Sequence, residues 1–273
     1  MFRGGFVRRP FWRAVGYIQK ARGRARLARA AARIGQELDV CGAIHQKDHL
    51  LQYILTHSTS AIQHGSEGPL REFFIQGERD AKQALAVMRE LGHAPDDKVL
   101  EFASGYGRVT RHLRLANLTA CDIHGDAVTF LNESLDVCAI RSTDNPLDFN
   151  PGESYDFIFV LSLFSHLPDH MFGPWLAKLY SLLAPGGHLM FTTCGEAAVA
   201  LNPLLASSMN YDTGITFLAV SDQPDLDLAG YGTSVVSPEY VRTQVTRCTT
   251  GQLTSFRAGA WWQTQDEWIV ARA

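Results

Sequence analysis

The residues best suited to ligand chemistry lie in a glycine-containing turn near the middle of the chain. Residues 99–111 read VLEFASGYGRVTR, an apolar strand followed by small residues. Gly105 and Gly107 let the backbone pass close to a ligand, and we predict a helix after them whose first N–H groups face that ligand. Glu101 adds an acceptor at the end of the strand. The pattern predicts a nucleotide-like ligand.

A second carboxylate narrows the class of ligand. Asp122 ends a short predicted strand about fifteen residues after Gly107 and suits the two hydroxyls of a ribose. A dinucleotide site would place a third glycine where this chain has Thr110, and Glu101 would repel a pyrophosphate. Glu101 suits the ammonium group of S-adenosylmethionine instead. The residues therefore favour S-adenosylmethionine over NAD as the cofactor.

Downstream segments extend this pattern to most of the chain. Residues 155–162 read YDFIFVLS and residues 179–192 read LYSLLAPGGHLMFT. They resemble the fourth strand and the helix, Pro-Gly-Gly turn and fifth strand of class I S-adenosylmethionine-dependent methyltransferases. Residues 161–168, LSLFSHLP, are similar to a bacterial subgroup with Ser-x-Phe-Ser/Thr-His-Leu-Pro after the fourth strand. The resemblance covers roughly residues 70–273, and residues 265–270 fit the last strand.

The resemblance implies a fold, an activity and a cofactor site. The expected fold is α/β, a doubly wound Rossmann-like sheet of seven strands, mostly parallel with an antiparallel C-terminal strand and with helices on both faces. The expected activity is methyl transfer from S-adenosylmethionine. The residues expected to bind this cofactor are Glu101, Ala103, Ser104, Gly105, Gly107, Asp122, Ile123, Thr143, Asp144 and Ser162.

Two positions depart from the family pattern. Ala103 stands where the first motif commonly has glycine, and because alanine does not readily adopt positive φ, we expect ordinary backbone geometry there. After the third strand, Thr143 and Asp144 are alternatives for the position that faces the adenine amino group. These departures are the basis for an alternative function, a non-catalytic cofactor-binding or scaffold protein that docks through its basic N-terminal segment.

His166 is the candidate general base. Methyl transfer is an in-line displacement, so the protein must mainly align the groups and exclude water, and a histidine helps when the acceptor is an alcohol or phenol. The alternatives for His166 are capping the next helix, bonding to backbone or shaping the cofactor pocket. The histidine, and the absence of an acidic Pro-Pro-Tyr/Phe motif, favour oxygen as the methylated atom.

We expect Arg108 to lie on a solvated helix face, with binding of an anionic substrate as the alternative.

Charge is distributed unevenly along the chain. Residues 1–36 contain ten of the 25 basic residues and no acidic residue, so the remaining 15 basic residues stand against 28 acidic ones. An acidic catalytic region argues against a nucleic-acid substrate and favours a small molecule or saccharide. The basic segment, which also contains aromatic residues, could contact an anionic membrane surface; a disordered extension or a docked helix are the alternatives.

The remaining expectations concern compartment and organisation. Five cysteines without a Cys-x-x-Cys pair, and no secretory signal pattern, favour the cytoplasm. No metal is predicted, because the histidines and carboxylates show no metal-ligand spacing. We expect a basic extension over residues 1–36, a helical region over 37–76 and a methyltransferase domain over 77–273. Residues 194–236 form a possible substrate lid, and strands near 253–257 and 267–272 are expected to form a hairpin that closes the sheet.

Overall fold

In a computed structural model of the protein, the described residues are 8–58, 67–201, 205, 213–221, 223 and 225–273, with the backbone alone described for residues 8–22. The helices are α1 (Arg8–Glu37), α2 (His49–His57), α3 (Gly68–Glu90), α4 (Gly125–Ser134), α5 (Asp169–Ser181), α6 (Glu196–Leu201) and α7 (Pro238–Cys248). The strands are β1 (Lys98–Phe102), β2 (Asn117–Asp122), β3 (Cys138–Arg141), β4 (Tyr155–Val160), β5 (Leu183–Cys194), β6 (Ile215–Leu218), β7 (Thr233–Val236), β8 (Gln252–Trp261) and β9 (Gln265–Ala271). The chain forms two compact units, Met1–Ile75 and Gln76–Ala273.

The first unit is helical. Its apolar core draws on α1, α2 and the first turns of α3, and consists of Ala31, Ile34, Leu51, Ile54, Leu70, Phe73 and Phe74. Helix α2 begins after Asp48, whose side chain accepts a hydrogen bond from the N–H of Leu51 at 2.9 Å, as expected of an N-cap aspartate. None of the helices in the described part of the chain is long and apolar enough to cross a membrane.

The second unit is built on one mixed sheet, and the doubly wound α/β expectation is confirmed. Strands β3, β2, β1, β4 and β5 pair in that order and are all parallel. Strand β9 runs antiparallel beside β5, and β8 pairs with β9. Parallel strands buried on both faces consist of nearly continuous apolar residues, as β4 does. One face packs on α5 and α7, and the other packs on α3.

The described strands number nine, so the expectation of seven was too low. The two additional strands are β6 and β7, an antiparallel pair joined to the end of β5 where Cys194 pairs with Val235. Both are only four residues long. Such short strands carry too little alternation to be recognised from sequence.

The C-terminal hairpin is confirmed and is longer than expected. Strands β8 and β9 are joined by a tight turn in which Trp262 and Gln263 have φ values of 52° and 60°. Trp261 is fully buried, and its indole N–H donates to Glu267 at 2.9 Å. The role of Trp261 is therefore to pack within the hairpin.

The helix expected directly after the glycine turn is wrong. Only fourteen residues separate β1 from β2, and they form turns and a single 3₁₀ turn, Thr110–His112. Gly105 and Gly107 both have positive φ, which interrupts a helical path. Arg111 holds the turn by donating to the carbonyls of Gly107 and Tyr106 at 2.7 and 3.0 Å. The turn after β1 therefore leads into no α-helix.

Candidate cofactor and active site

The sheet gathers the predicted site residues at one edge. Glu101 lies in β1, Asp122 ends β2, and Ser162 follows β4. The other predicted residues follow the same strand ends: Ala103, Ser104, Gly105 and Gly107 after β1, Ile123 after β2, and Thr143 and Asp144 after β3. Carboxyl ends of parallel strands are where doubly wound sheets bind ligands. Residues far apart in sequence thus come to share one edge.

The turn after β1 adopts a strained conformation that the sequence did not predict. Ala103 has a φ of 62°, so the expectation of ordinary backbone geometry there is wrong. The next residue fastens the turn to β2, because both the N–H and the hydroxyl of Ser104 donate to the carbonyl of Cys121, at 2.9 and 3.2 Å. These bonds hold the alanine in the left-handed region, at a cost of about 1 kcal/mol.

Asp122 holds the same turn from the side of β2. Its Oδ2 accepts from the N–H of Gly105 at 2.8 Å, and its Oδ1 accepts from the backbone N–H and ring Nδ1 of His124 at 3.0 and 2.9 Å. The hydrogen bond to Asp122 raises the pKa of His124. The carboxylate therefore stabilises the turn through these hydrogen bonds. Its contact with a ribose stays a prediction.

Glu101 is buried, and one of its carboxyl oxygens is unpaired. The side chain is 4% exposed, and its Oε2 finds no hydrogen-bond partner among the residues that the structure describes. Burial raises the pKa of this carboxyl to about 8, although Thr110 and the positive charge of Arg108 act in the opposite direction. A buried acid with unused acceptor capacity is suited to a cationic group of a ligand.

Arg108 does not lie on a solvated face, so that expectation is wrong. Its guanidinium forms a buried ion pair with Asp80 of α3, at 2.6 Å, and lies 6.0 Å from the ring centre of Trp262. The indole N–H of Trp262 donates to the same carboxylate at 3.0 Å. The turn after β1 is therefore fastened to α3 as well as to β2.

Ser162 belongs to a bonded network at the ends of β4 and β5. It has a φ of 65°, and its N–H donates to the hydroxyl of Thr192 at 2.8 Å. Gln265 accepts from Thr192 at 2.6 Å and donates to the hydroxyl of Ser162 at 2.9 Å. The hydroxyl of Ser165 donates to the carbonyl of Ser162 at 2.8 Å. A cofactor contact by Ser162 stays a prediction.

The residues after β3 are more exposed. The hydroxyl of Thr143 donates to the carbonyl of Asn145 at 2.7 Å, whereas Asp144 is exposed. Thr143 thus shapes its own turn. A contact of either residue with adenine stays a prediction.

His166 lies in the loop between β4 and α5 and is half-buried. Its Nδ1 is 2.6 Å from the carbonyl oxygen of Gly232, and its ring stacks on Tyr231 with centroids 4.6 Å apart and planes at 14°. Pro168 occupies the N-cap position of α5, so His166 does not cap that helix. Among the alternatives for this histidine, the bond to backbone is confirmed.

Residues 100–189, about a third of the chain, match a protein-family model described as a methyltransferase domain. These residues form a methyltransferase domain, consistent with the class I S-adenosylmethionine-dependent methyltransferases. The match begins within β1 and ends within β5, and it includes the turn after β1, Asp122 and His166. Because the chain is an enzyme, the non-catalytic alternative is not retained. Comparison with curated proteins found no match.

Solved structures share the fold of this methyltransferase at low sequence identity. Magnesium protoporphyrin IX methyltransferase (ChlM) from Synechocystis PCC 6803, with bound SAH, is 11% identical with a TM-score of 0.54, over 82% of this chain and 98% of that one. The glycopeptide N-methyltransferase MtfA complexed with SAH is 14% identical with a TM-score of 0.52, over 72% and 90%. A methyltransferase from Clostridium acetobutylicum ATCC 824 is 12% identical with a TM-score of 0.51, over 71% and 90%.

The residues at the sheet edge fit the cofactor of this class, S-adenosylmethionine. Glu101 has an unused, buried carboxyl oxygen suited to the ammonium group of the methionine portion. Gly105 has open space beside its backbone, since a Cβ added there would meet no atom within 4 Å. Among the described residues, no group of three or more His, Cys, Asp or Glu side chains is placed to hold a metal ion.

Sequence reasoning missed several residues of this methyltransferase site. His124 lies two residues after Asp122, and this spacing of an acid and a histidine was a usable signal. Tyr231 and Gly232 lie in a segment whose periodicity gave no signal, and Gln265 was recognised only as part of a strand. These three reach the site through contacts between distant segments, which a local pattern does not encode.

Proposed function

We propose that this methyltransferase acts on a small molecule or saccharide and methylates an oxygen atom, with His166 as the general base. When bound, S-adenosylmethionine supplies the methyl group, which moves in line from sulfur to the acceptor oxygen as the carbon–sulfur bond breaks. The observation that carries the proposal is the arrangement of His166, a half-buried histidine at the carboxyl edge of the sheet whose Nδ1 is bonded to a backbone carbonyl.

The protein's part in the reaction is to hold the reacting groups and to take up one proton. Because Nδ1 of His166 donates to Gly232, the lone pair of the neutral ring lies on Nε2. As the acceptor oxygen forms its bond to the methyl carbon, its proton moves to Nε2, and the ring later releases that proton to solvent. Glu101 binds the ammonium group of the cofactor and Asp122 its ribose.

The charge of the catalytic region supports a small acceptor. Outside residues 1–36 acidic residues exceed basic ones by 28 to 15, which disfavours a phosphate-rich polymer. Two proteins with the same fold are named for magnesium protoporphyrin IX and for a glycopeptide. Neither name involves a nucleic acid. Methylation of an amine acceptor would show that the methylated atom is nitrogen and not oxygen.

Formation of S-adenosylhomocysteine tests this function. Matched alcohol, phenol, sugar and amine acceptors are screened with the wild-type enzyme, His166→Gln and His170→Gln. His170 is exposed on α5 and serves as the control histidine. We expect turnover with a hydroxyl acceptor and a loss of about a hundredfold or more in His166→Gln alone. Turnover only with amines would overturn the oxygen assignment, and full activity in His166→Gln would overturn the base assignment.

The proposed location is the cytoplasm, with residues 1–36 contacting an anionic membrane surface. Ten basic residues and no acidic residue in this segment support the contact, as does the helix that begins at Arg8. Co-sedimentation with phosphatidylserine-containing vesicles, but not with phosphatidylcholine vesicles, is the expected result, weakening with salt. Equal sedimentation with both vesicles, or with neither, would contradict it.

A further inference from the structure

We infer that residues 231–234 position His166 and fix its tautomer so that Nε2 receives the acceptor's proton. This segment consists of the two residues before β7 and the first two residues of β7. The inference rests on the proposed function, because it concerns the same base. It assigns a role to Tyr231 and Gly232, which lie 65 and 66 residues after His166 in sequence. Both are positioning residues that act through the histidine.

Backbone hydrogen bonds hold this segment against the loop after β4. The N–H of Gly232 donates to the carbonyl of His166 at 2.9 Å, and the N–H of Ser234 donates to the carbonyl of Ser165 at 2.7 Å. The hydroxyl of Ser234 donates to the carbonyl of Leu167. The carbonyls of three consecutive residues, Ser165, His166 and Leu167, are thus bonded to the segment. These bonds fix the position of the His166 backbone.

Gly232 meets a steric requirement of this contact. A Cβ at this position would lie 2.3 Å from the carbonyl oxygen of Leu218 and 2.7 Å from the ring of Phe217. Any side chain would therefore push the segment away from β6 or displace its backbone. The close approach places the carbonyl of Gly232 within reach of the imidazole.

The bond between Gly232 and His166 determines the proton position on the ring. A carbonyl oxygen only accepts, so the Nδ1 that lies 2.6 Å from it must carry the hydrogen. The neutral imidazole then has its acceptor lone pair on Nε2. The bond to Gly232 therefore selects Nε2 as the nitrogen that can act as a base.

Tyr231 fixes the plane of the ring. Its aromatic ring stacks on that of His166 at 4.6 Å and 14°, so rotation of the imidazole would break both the stack and the bond to Gly232. Burial, and then the negative charge of Asp122, raise the pKa of Tyr231, which keeps the phenol neutral.

Histidine NMR tests the inference without any acceptor. Long-range proton–nitrogen spectra of the ¹⁵N-labelled full chain report which ring nitrogen is protonated, and His166→Gln identifies the signals of His166. In the wild-type protein we expect one tautomer, with Nδ1 protonated. Tyr231→Phe should keep this signature because the stack remains. Tyr231→Leu should give mixed tautomers, while the exposed His170 serves as the unchanged reference.

Two results would overturn the inference: a proton on Nε2 in the wild-type protein, or an unchanged His166 signature in Tyr231→Leu. Should Tyr231→Leu not fold, Tyr231→Met takes its place, since it fills similar volume without a ring. Titration of the same variants with S-adenosylhomocysteine separates this inference from the proposed function. Loss of the tautomer signature with intact cofactor binding is the expected result for Tyr231→Leu, whereas a wild-type protein that fails to bind the cofactor would contradict the proposed function alone.

Discussion

The carboxyl ends of β1 and β4 are alike in backbone geometry but differ in how their polar side chains are bonded. Each contains a residue other than glycine in the left-handed region, Ala103 with a φ of 62° and Ser162 with a φ of 65°. After β4 the polar groups are bonded to one another through Thr192 and Gln265. Near the end of β1 a buried oxygen of Glu101 has no such bond within the described part of the chain, although the turn that follows is bonded to β2.

This difference distinguishes the end of β4, whose polar groups bond to one another, from the end of β1, where we predict that the ammonium group of the cofactor binds. Left-handed geometry in both turns is stabilised by contacts to neighbouring strands, so strain alone does not mark the cofactor site. Unused hydrogen-bonding capacity on a buried acid does mark it, because an isolated buried polar group is costly unless a ligand or water completes its bonds.

The largest expected effect comes from a methyl group added inside the β1 turn. In Gly107→Ala the new Cβ would lie 2.4 Å from Leu135 Cδ1 and 2.8 Å from Leu131 Cδ2, at a φ of 71°. We expect the free energy of unfolding to fall by about 2–4 kcal/mol, from crowding and left-handed strain together. Gly105→Ala, which meets open space, should cost only about 1 kcal/mol. Equal losses in urea unfolding would show that packing does not distinguish these glycines.

The next effect concerns the protonation of Glu101. If ionised Glu101 binds the cofactor's ammonium group, affinity for S-adenosylhomocysteine should rise roughly tenfold per pH unit between about pH 6 and pH 7.5. The rise follows from a pKa of about 8 in the unliganded protein. Glu101→Gln should bind more weakly and show a flat profile. A pH-independent wild-type affinity in isothermal titration would disprove the pairing.

The raised pKa of the Glu101 carboxyl also predicts how the free energy of unfolding depends on pH. Its pKa is raised from the usual 4.5 to about 8 by folding, so the protonated form is the one that the folded state favours. This contribution is complete below pH 4.5 and is lost as the pH rises through about 8. The unfolding free energy of the unliganded wild type should therefore decline over that interval relative to Glu101→Gln.

A smaller loss is expected from removing the carboxylate at the end of β2. Asp122→Ala should weaken S-adenosylhomocysteine binding by at least about tenfold, or roughly 1.4 kcal/mol, because the ribose contact and the bond to Gly105 are both lost. Asp156→Ala is the matched control, since this acid also accepts from a backbone N–H, that of Lys98 at 2.8 Å, at the opposite end of the strands. Equal affinities for the two variants would refute the ribose assignment.

The smallest expected effect compares the two left-handed residues directly. Ala103→Gly should stabilise the protein by up to about 1 kcal/mol, because it relieves backbone strain and removes no side-chain hydrogen bond. Ser162→Gly relieves similar strain but also loses the bond from Gln265, so we expect a small net destabilisation, below about 1 kcal/mol. Thermal unfolding measures both variants. Shifts of the same sign would contradict the contrast between the turns.

Much of the site was predictable because it depends on strand order and residue type. Glu101, Asp122 and Ser162 lie at or just after the ends of apolar strands, and parallel pairing brings these ends together. The pairing of Arg108 with Asp80 was not predictable, because the two residues lie 28 positions apart on different elements. The expected helix after the glycine turn failed because local composition did not reveal how short the connection to β2 is.

The sequence by itself determined the α/β class, the placement of the candidate residues at strand ends and the C-terminal hairpin, because apolar periodicity and turn residues act over a few positions. Tertiary structure alone decided that Ala103 adopts positive φ, that Arg108 is buried, and that Tyr231 and Gly232 reach His166. Each of these depends on a bond or a packing contact between segments distant in the chain. Such contacts form only when folding brings the segments together, so no local pattern contains them.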